Sequence, residues 1–384
     1  MTHCPDALLS TYTPYAFPLV KGQGDDVRDP EGNRYLDFYG GHCVASTGHC
    51  HPTVIKAIRE QAGELIFYSA AARLPVRDQA ARALVDFAGS NMSSVFFCNS
   101  GAEANENALR IAIKLTGRRK LVTFNGGFHG RTLLALSVTD NPALRNGYES
   151  LLAPATFLPF GEYTALAAAD FSDVAAVIVE PIQSMAGIRT ARPDWFEALE
   201  AKCRRSGTLL IFDEIQTGVG RLGAPFAANL YCTTPDIITC AKGMASGVPM
   251  GGVLMSAEVA NSLRPGDLGS TFGGGPLACA ALLATLDVIR NENLMDHAVA
   301  AEARIRAGLS GVVSAVRGIG LLLGLVVRSR AAELKNYLLE RRILVGGSAD
   351  AGVLRLMPPL NVSDAAVEAL IASVSEFSQT PEPA

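Results

Sequence analysis

Apolar positions in this chain fall into two alternating patterns. Short, nearly unbroken apolar runs read as strands buried on both faces: Ser94-Val95-Phe96-Phe97-Cys98, Lys120 to Phe124, Ala176 to Val179, Leu209-Leu210-Ile211-Phe212 and Asp236 to Ala241. Longer segments between them, Thr53 to Ile66, Val76 to Gly89 and Ala104 to Thr116, read as helices. Asp26 to Phe38, folded about Asp29-Pro30-Glu31-Gly32-Asn33, predicts a β-hairpin. From Pro276 the pattern is mostly helical, Leu277 to Asn291 and Leu294 to Leu309. Short strands follow near Gly320 to Val327 and Val353 to Met357, then a last helix from Ser363 to Phe377. Strands alternating with helices predict an α/β fold, a mostly parallel mixed sheet covered on both faces, with a smaller α+β lobe. The expected division is a large domain over residues 46–268 and a small one built from residues 1–45 and 269–384. No repeat or low-complexity linker interrupts this order, and the tail after Ser378 is expected to be disordered.

Composition narrows the class. With 384 residues, 49% hydrophobic and 18% charged, the chain can bury a large core. A net charge of -4 without a basic block argues against nucleic acid as the main partner. Met1-Thr2-His3-Cys4-Pro5-Asp6 lacks the regions of a signal peptide, and the longest apolar run, around Gly318 to Val327, is too short to cross a bilayer. Eight scattered cysteines, mostly in apolar segments, read as small reduced hydrophobes and suggest the cytoplasm. His42, Cys43, His49, Cys50 and His51 lie close together, but their spacings repeat no metal motif. Gly48-His49-Cys50-His51-Pro52 reads as a turn into a helix, and no metal site is expected.

Candidate chemistry concentrates at strand ends. One strand ends in Asp213-Glu214 and another in Lys242-Gly243, where an open α/β sheet presents its ligands. A lysine in a dry site deprotonates more easily than one in water and can condense with an aldehyde as a Schiff base. Pyridoxal phosphate asks for such a lysine and for an acid against its pyridine nitrogen, which suits Lys242 and Asp213. A separate strand-to-helix turn, Ser100-Gly101-Ala102-Glu103, offers unpaired amides at a positive helix end. A Ser-x-x-Glu capping box explains the same residues and is compatible with phosphate binding there.

Six runs then carry a resemblance. Asn99-Ser100-Gly101-Ala102-Glu103-Ala104-Asn105-Glu106, Phe128-His129-Gly130-Arg131-Thr132, Glu180-Pro181-Ile182-Gln183, Phe212-Asp213-Glu214-Ile215-Gln216-Thr217-Gly218, Ala241-Lys242-Gly243 and Gly269-Ser270-Thr271-Phe272-Gly273-Gly274 occur in the order found in class III aminotransferases. The chain resembles the acetylornithine and ornithine branch, from Tyr12 to Val362. The resemblance implies a fold-type I pyridoxal-phosphate enzyme, a homodimer with shared sites, using amino-acid and 2-oxo-acid substrates.

It also implies roles. Lys242 holds the cofactor and moves a proton, Asp213 meets the ring nitrogen, and Gln216 meets the ring hydroxyl. Phe128 stacks on the ring, a contact a core phenylalanine explains equally well. Ser100, Gly101 and Ala102 take the phosphate, His129 and Glu180 complete the cofactor site, and Ser270 and Thr271 reach the neighbouring subunit's phosphate. Arg131 and Arg355 match carboxylate-binding positions, where a guanidinium gives two parallel hydrogen bonds, and Tyr12 lines the substrate pocket.

Two departures bear on substrate. Relatives carry Gly-Glu after Glu-Pro-Ile-Gln, whereas this chain has Ser184-Met185-Ala186-Gly187, so Met185 cannot neutralise Arg355. This raises the alternative of a donor whose carboxylate lies near the reacting amine. His42 stands where ornithine-type relatives carry tyrosine. An aminomutase or racemase on the same fold would use the same lysine and acid, and dependence on a 2-oxo-acid acceptor separates it. Gly218-Val219-Gly220-Arg221-Leu222-Gly223 matches a dinucleotide motif, but Pro225 and Phe226 stand where its helix should open. The expected activity is therefore transamination of a diamino acid such as N-acetylornithine or ornithine, with 2-oxoglutarate becoming glutamate.

Overall fold

A computed structural model describes residues 7, 9, 11–89 and 91–380; the hexapeptide at the N-terminus and the last four residues of the expected disordered tail lie outside it. Its centre is a seven-stranded sheet in the order Met92–Cys98, Gly251–Ser256, Ile237–Cys240, Leu209–Asp213, Val174–Val179, Lys120–Phe124 and Ala155–Leu158. Only Gly251–Ser256 runs against its neighbours. The carboxyl ends of the other six therefore share one edge.

The unbroken apolar runs have a physical cause. Along Val177-Ile178-Val179 and Leu210-Ile211-Phe212, the middle residue joins one apolar cluster and its neighbours join another, on opposite faces. One cluster packs Ile178, Ile211 and Ile237 under Ala104, Ala108 and Leu109 of the helix Gly101–Thr116. On the other face Trp195 and Phe196, from the helix Pro193–Ser206, meet Phe124 and Phe212 with ring centroids 5.0 and 5.7 Å apart. Each such side chain contributes about 1.5–3 kcal/mol by leaving water.

Helix Gly101–Thr116 starts where the Ser100 hydroxyl accepts the Glu103 amide at 3.2 Å. It stops at Gly117, whose φ of 69° a side chain would resist. The reciprocal half of the expected capping box differs: the Glu103 carboxylate accepts from the backbone amide and side chain of Asn99, one residue before the cap.

The hairpin forms as predicted, with Asp26–Arg28 against Arg34–Asp37; the Asp29 carboxylate accepts from the backbone and side-chain amides of Asn33 and from the Tyr35 hydroxyl. It gains the strand Lys21–Gln23 on one side and a parallel partner, Ile343–Leu344, on the other. A further sheet orders Ala315–Ile319, Leu322–Val326 and Val353–Leu356. The predicted helices appear with ends moved by a few residues, for instance Pro276–Asn291, Leu294–Gly308 and Asp364–Ser378. The apolar pattern left unassigned the strands Ala155–Leu158 and Gly251–Ser256 and the helices Pro193–Ser206 and Ala331–Glu340. The glycine-rich Gly218–Gly223 forms turns packed on Phe226, Ile289 and Met295, and opens no long helix. No helix among the described residues is long and apolar enough to cross a membrane.

Candidate active site

The shared strand edge opens into a cavity of about 530 Å³. Ser100, Gly101, Ala102, Phe128, His129, Arg131, Glu180, Asp213, Gln216 and Lys242 all line it, ten of the residues singled out in the sequence. The sheet explains their meeting. Cys98 leads into the phosphate-type turn, Phe124 into the Phe128 loop, Val179 into Glu180, the Leu209–Asp213 strand ends on Asp213, and Cys240 leads into Lys242.

Asp213 is 4% exposed. Its Oδ2 lies 2.7 Å from His129 Nδ1 and accepts Asn105 Nδ2 at 2.7 Å, while Oδ1 accepts the Ile215 amide at 3.2 Å. Lys242 sits on a short 3-10 turn in a left-handed conformation, φ 45°, which a non-glycine residue adopts at a cost of about 1–2 kcal/mol. Neighbouring hydroxyls brace that turn: Ser46 donates to the Gly243 carbonyl at 2.5 Å, and Ser246 is reached by Thr47 at 2.8 Å and Thr285 at 3.1 Å. Burial lowers the Lys242 amine from the ordinary lysine range, opposed by the charge of Asp213.

Two further carboxyls lie close by. Glu180 accepts the Phe128 amide at 2.8 Å; burial raises its pKa against the pull of His129, and Asp213 adds to the rise. Glu214 faces away into a pocket of donors, the amides of Ala227 and Ala228 and the Thr217 hydroxyl at 2.6, 2.9 and 2.9 Å. Burial outweighs those donors and pushes Glu214 up to about 7.

Arg355, 3% exposed, does not line the cavity but flanks it. Its Nε donates to the Gly347 carbonyl at 2.6 Å and its Nη1 to the Ser184 hydroxyl at 3.1 Å. Burial lowers its pKa, while Tyr39, Cys43 and Glu180 act the other way. Gly40, Gly41, His42 and Cys43 form a left-handed stretch, φ 55° to 69°. The Asp37 carboxylate offsets the strain by accepting the amides of Tyr39 and Gly40 at 2.9 and 2.8 Å. The Tyr39 hydroxyl lies 2.5 Å from His42 Nδ1, and the Tyr12 ring lies 6.0 Å from the His42 ring. Burial, then Arg355 and Lys242, lower the His42 pKa.

The remaining predicted residues lie apart from the cavity wall. Met185 is half-buried, and its carbonyl accepts the Ala349 amide at 2.8 Å. Ser270 accepts from Asn99 at 3.3 Å, and Thr271 is exposed on a loop beside Phe272. His49 and His51 are engaged by Asp37 and Glu292 at 2.7 and 3.0 Å. Sequence reasoning gave no role to Tyr39, which bonds His42, or to Asn105 and Gly247-Val248-Pro249-Met250, which touch or line the cavity. Asn105 stood inside a motif without a signal of its own. The Gly247 to Met250 stretch is brought in by the antiparallel strand that follows it.

The residues fit pyridoxal phosphate. A helix N-terminus approaches the cavity so closely that a Cβ at Gly101 would stand 2.6 Å from Ile215, an amine depressed by burial stands at one strand end, and a buried carboxylate surrounded by donors stands at the next. The fold is that of the fold-type I pyridoxal-phosphate enzymes. More particularly, the chain belongs to the class-III aminotransferases, whose family profile matches residues 9–377. It is 41% identical over 372 residues to the acetylornithine aminotransferase of Methanopyrus kandleri, covering 96% of each chain. It is 39% identical over 358 residues to a [LysW]-aminoadipate semialdehyde/glutamate semialdehyde transaminase of Sulfolobus acidocaldarius, covering 91% of this chain and 92% of that one. A crystal structure of Toxoplasma gondii ornithine aminotransferase, described with partial occupancy of pyridoxal phosphate at its active site, superposes with a TM-score of 0.91 at 33% identity, covering 97% of this chain and 91% of the other. The protein is a pyridoxal-phosphate-dependent transaminase acting on amino acids.

Proposed function

We propose that the cavity transfers an amino group from N-acetylornithine, ornithine or a related diamino acid to 2-oxoglutarate, giving glutamate. The carrying observation is the pairing of Lys242 and Asp213 at adjacent strand ends over one cavity, in a chain whose relatives are named acetylornithine aminotransferases. Pyridoxal phosphate, when bound, supplies an aldehyde to carry the amino group and a ring that withdraws electrons from the substrate carbon.

In this reading Lys242 Nζ would hold the cofactor and, once released by the substrate, would carry the proton between the substrate carbon bearing the amine and the cofactor's aldehyde carbon. The amides of Gly101 and Ala102, with the Ser100 hydroxyl nearby, bind the phosphate at the positive end of their helix. Asp213, Phe128 and Gln216 line the cavity, where Asp213 would pair with the ring nitrogen, Phe128 would stack on the ring and Gln216 would hydrogen-bond the ring hydroxyl. Arg131 and Arg355 hold the substrate carboxylates, with His42 and Tyr12 shaping the far side. Ser270 and Thr271 serve the phosphate site of a second copy.

A homodimer follows from that last assignment. Ile66, Phe67, Tyr68 and Phe272 form an exposed apolar group beside the Thr271 loop, with the rings of Phe67 and Phe272 5.0 Å apart. Sedimentation should give twice the chain mass. The large domain of residues 46–268, the small domain of 1–45 with 269–384, and a cytoplasmic setting complete the proposal.

The named relatives favour the diamino donor over the α-amino-acid alternative that Met185 raised. A donor screen coupled to glutamate formation tests this directly. Turnover of α-amino acids at the expense of N-acetylornithine and ornithine would replace the reading.

A further inference from the structure

We propose that Asn105 is a positioning residue for the cofactor: its amide sets the orientation of the Asp213 carboxylate and ties it to the helix carrying the phosphate turn and to the loop carrying Phe128. The proposal rests on the reading above, in which Asp213 meets the ring nitrogen.

The sheet sets this up. Asp213 and Thr239 are direct partners in the parallel register of adjacent strands, and Asn105 lies over them on the helix Gly101–Thr116. All three are nearly sealed from solvent, with Asn105 and Thr239 at 0% exposure and Asp213 at 4%. Both hydrogens of the Asn105 amide are committed. One bond runs from Nδ2 to Asp213 Oδ2 and one to the His129 carbonyl, each 2.7 Å, while Oδ1 accepts the Thr239 hydroxyl at 2.6 Å.

The amide has one workable orientation. Rotated by half a turn, Oδ1 would face the Asp213 carboxylate and the His129 carbonyl, two acceptors, at a position where Asn105 itself has no exposure to solvent. The carboxylate is thereby held by three N–H groups from three elements: Asn105 on the helix, His129 on the loop and the amide of Ile215 after the strand. A single side chain thus links the segments that would hold phosphate, ring face and ring nitrogen. A bound cofactor feels its removal at all three, because a buried carboxylate that loses a donor is free to rotate away from its partner.

The test measures the dissociation constant of pyridoxal phosphate from the full-length protein. Asn105→Ala should weaken binding by about tenfold to a hundredfold, the usual weight of a hydrogen bond to a charged group. In an Asp213→Ala background the same change should add little, since Asn105 acts through Asp213. Asn105→Asp should bind in a pH-dependent way: a protonated Asp at position 105 supplies one O–H donor at low pH, whereas two facing carboxylates repel at high pH. Thr239→Val, nearly isosteric and so able to fold if Asn105→Ala is not, should weaken binding severalfold by leaving Oδ1 unpaired. Unchanged affinity in Asn105→Ala or Thr239→Val, a pH-independent loss in Asn105→Asp, or full additivity with Asp213→Ala overturns the proposal. If Asp213→Ala itself leaves affinity unchanged, the reading of Asp213 fails and this proposal with it. A loss in Asp213→Ala without one in Asn105→Ala removes the proposal alone.

Discussion

Arg355 meets Ser184 through a 3.1 Å hydrogen bond from Nη1 to the hydroxyl, and its other bond goes to the Gly347 carbonyl. Among the described residues, then, both of its hydrogen-bond partners are neutral, and a buried cation is held without a carboxylate in contact. Burying such a charge costs stability unless an anion arrives.

Arg355→Met should therefore leave the melting temperature of the substrate-free protein unchanged or raise it. The same change should raise KM for the amino donor by about a hundredfold, the weight of a charged hydrogen-bonded pair. Calorimetry and steady-state rates on one preparation check both halves. A large fall in melting temperature with unchanged KM would show that Arg355 serves the fold and not the substrate.

Glu214 gives a dependence on pH. Its folded pKa, about 7, lies above the 4.5 of an unperturbed glutamate, so its share of stability is complete below about pH 4.5 and is lost as the pH rises toward 7. Each proton so linked changes stability by about 1.4 kcal/mol per pH unit. Urea unfolding of the cofactor-free protein at pH 5, 6 and 7 should show a decline that Glu214→Gln flattens. An identical slope in wild type and variant would contradict the shift.

Gly101→Ala would place a Cβ 2.6 Å from Ile215, whose amide is bonded to Asp213. Ile215 lines the cavity, so relieving the clash narrows the space beside the phosphate turn. Affinity for pyridoxal phosphate should drop by about thirtyfold, the middle of the overpacking range. Equilibrium dialysis of the cofactor reads this without recourse to activity.

Lys242→Ala should lower turnover by at least about a thousandfold, as expected for losing the proton-transferring group. Because burial depresses the Lys242 amine, the cofactor-free enzyme should take up pyridoxal phosphate with a midpoint in pH below 10.5. Stopped-flow absorbance against pH measures that midpoint. A midpoint at the ordinary lysine value would remove the case for a desolvated amine.

The legible parts share one property: they are local. Strands such as Leu209–Asp213 carry long apolar runs because alternate residues enter two different apolar clusters, and the turns after them announce themselves by charge or glycine. Gly251–Ser256 escaped because two glycines open it, and Ala155–Leu158 because it is short, partly exposed and at the sheet edge. The helix Pro193–Ser206 buries only Trp195, Phe196, Leu199 and Cys203 among charged neighbours, too sparse a stripe to stand out.

By itself the sequence determined the order of most of the strands and helices, the turn chemistry, and the residue types at the strand ends it marked, since each depends on neighbours a few positions away. It also fixed the family, through motifs in a set order. Only the tertiary structure decided that the strands stand side by side with their ends at one edge, which turns Gly101, Glu180, Asp213 and Lys242 into the lining of one cavity. It alone decided that Asn105 reaches Asp213 across 108 positions of chain and that Arg355 lies buried beside Ser184 across 171. Hydrogen bonds and desolvation act through space, and no local pattern of side chains records a partner that the chain meets only once folded.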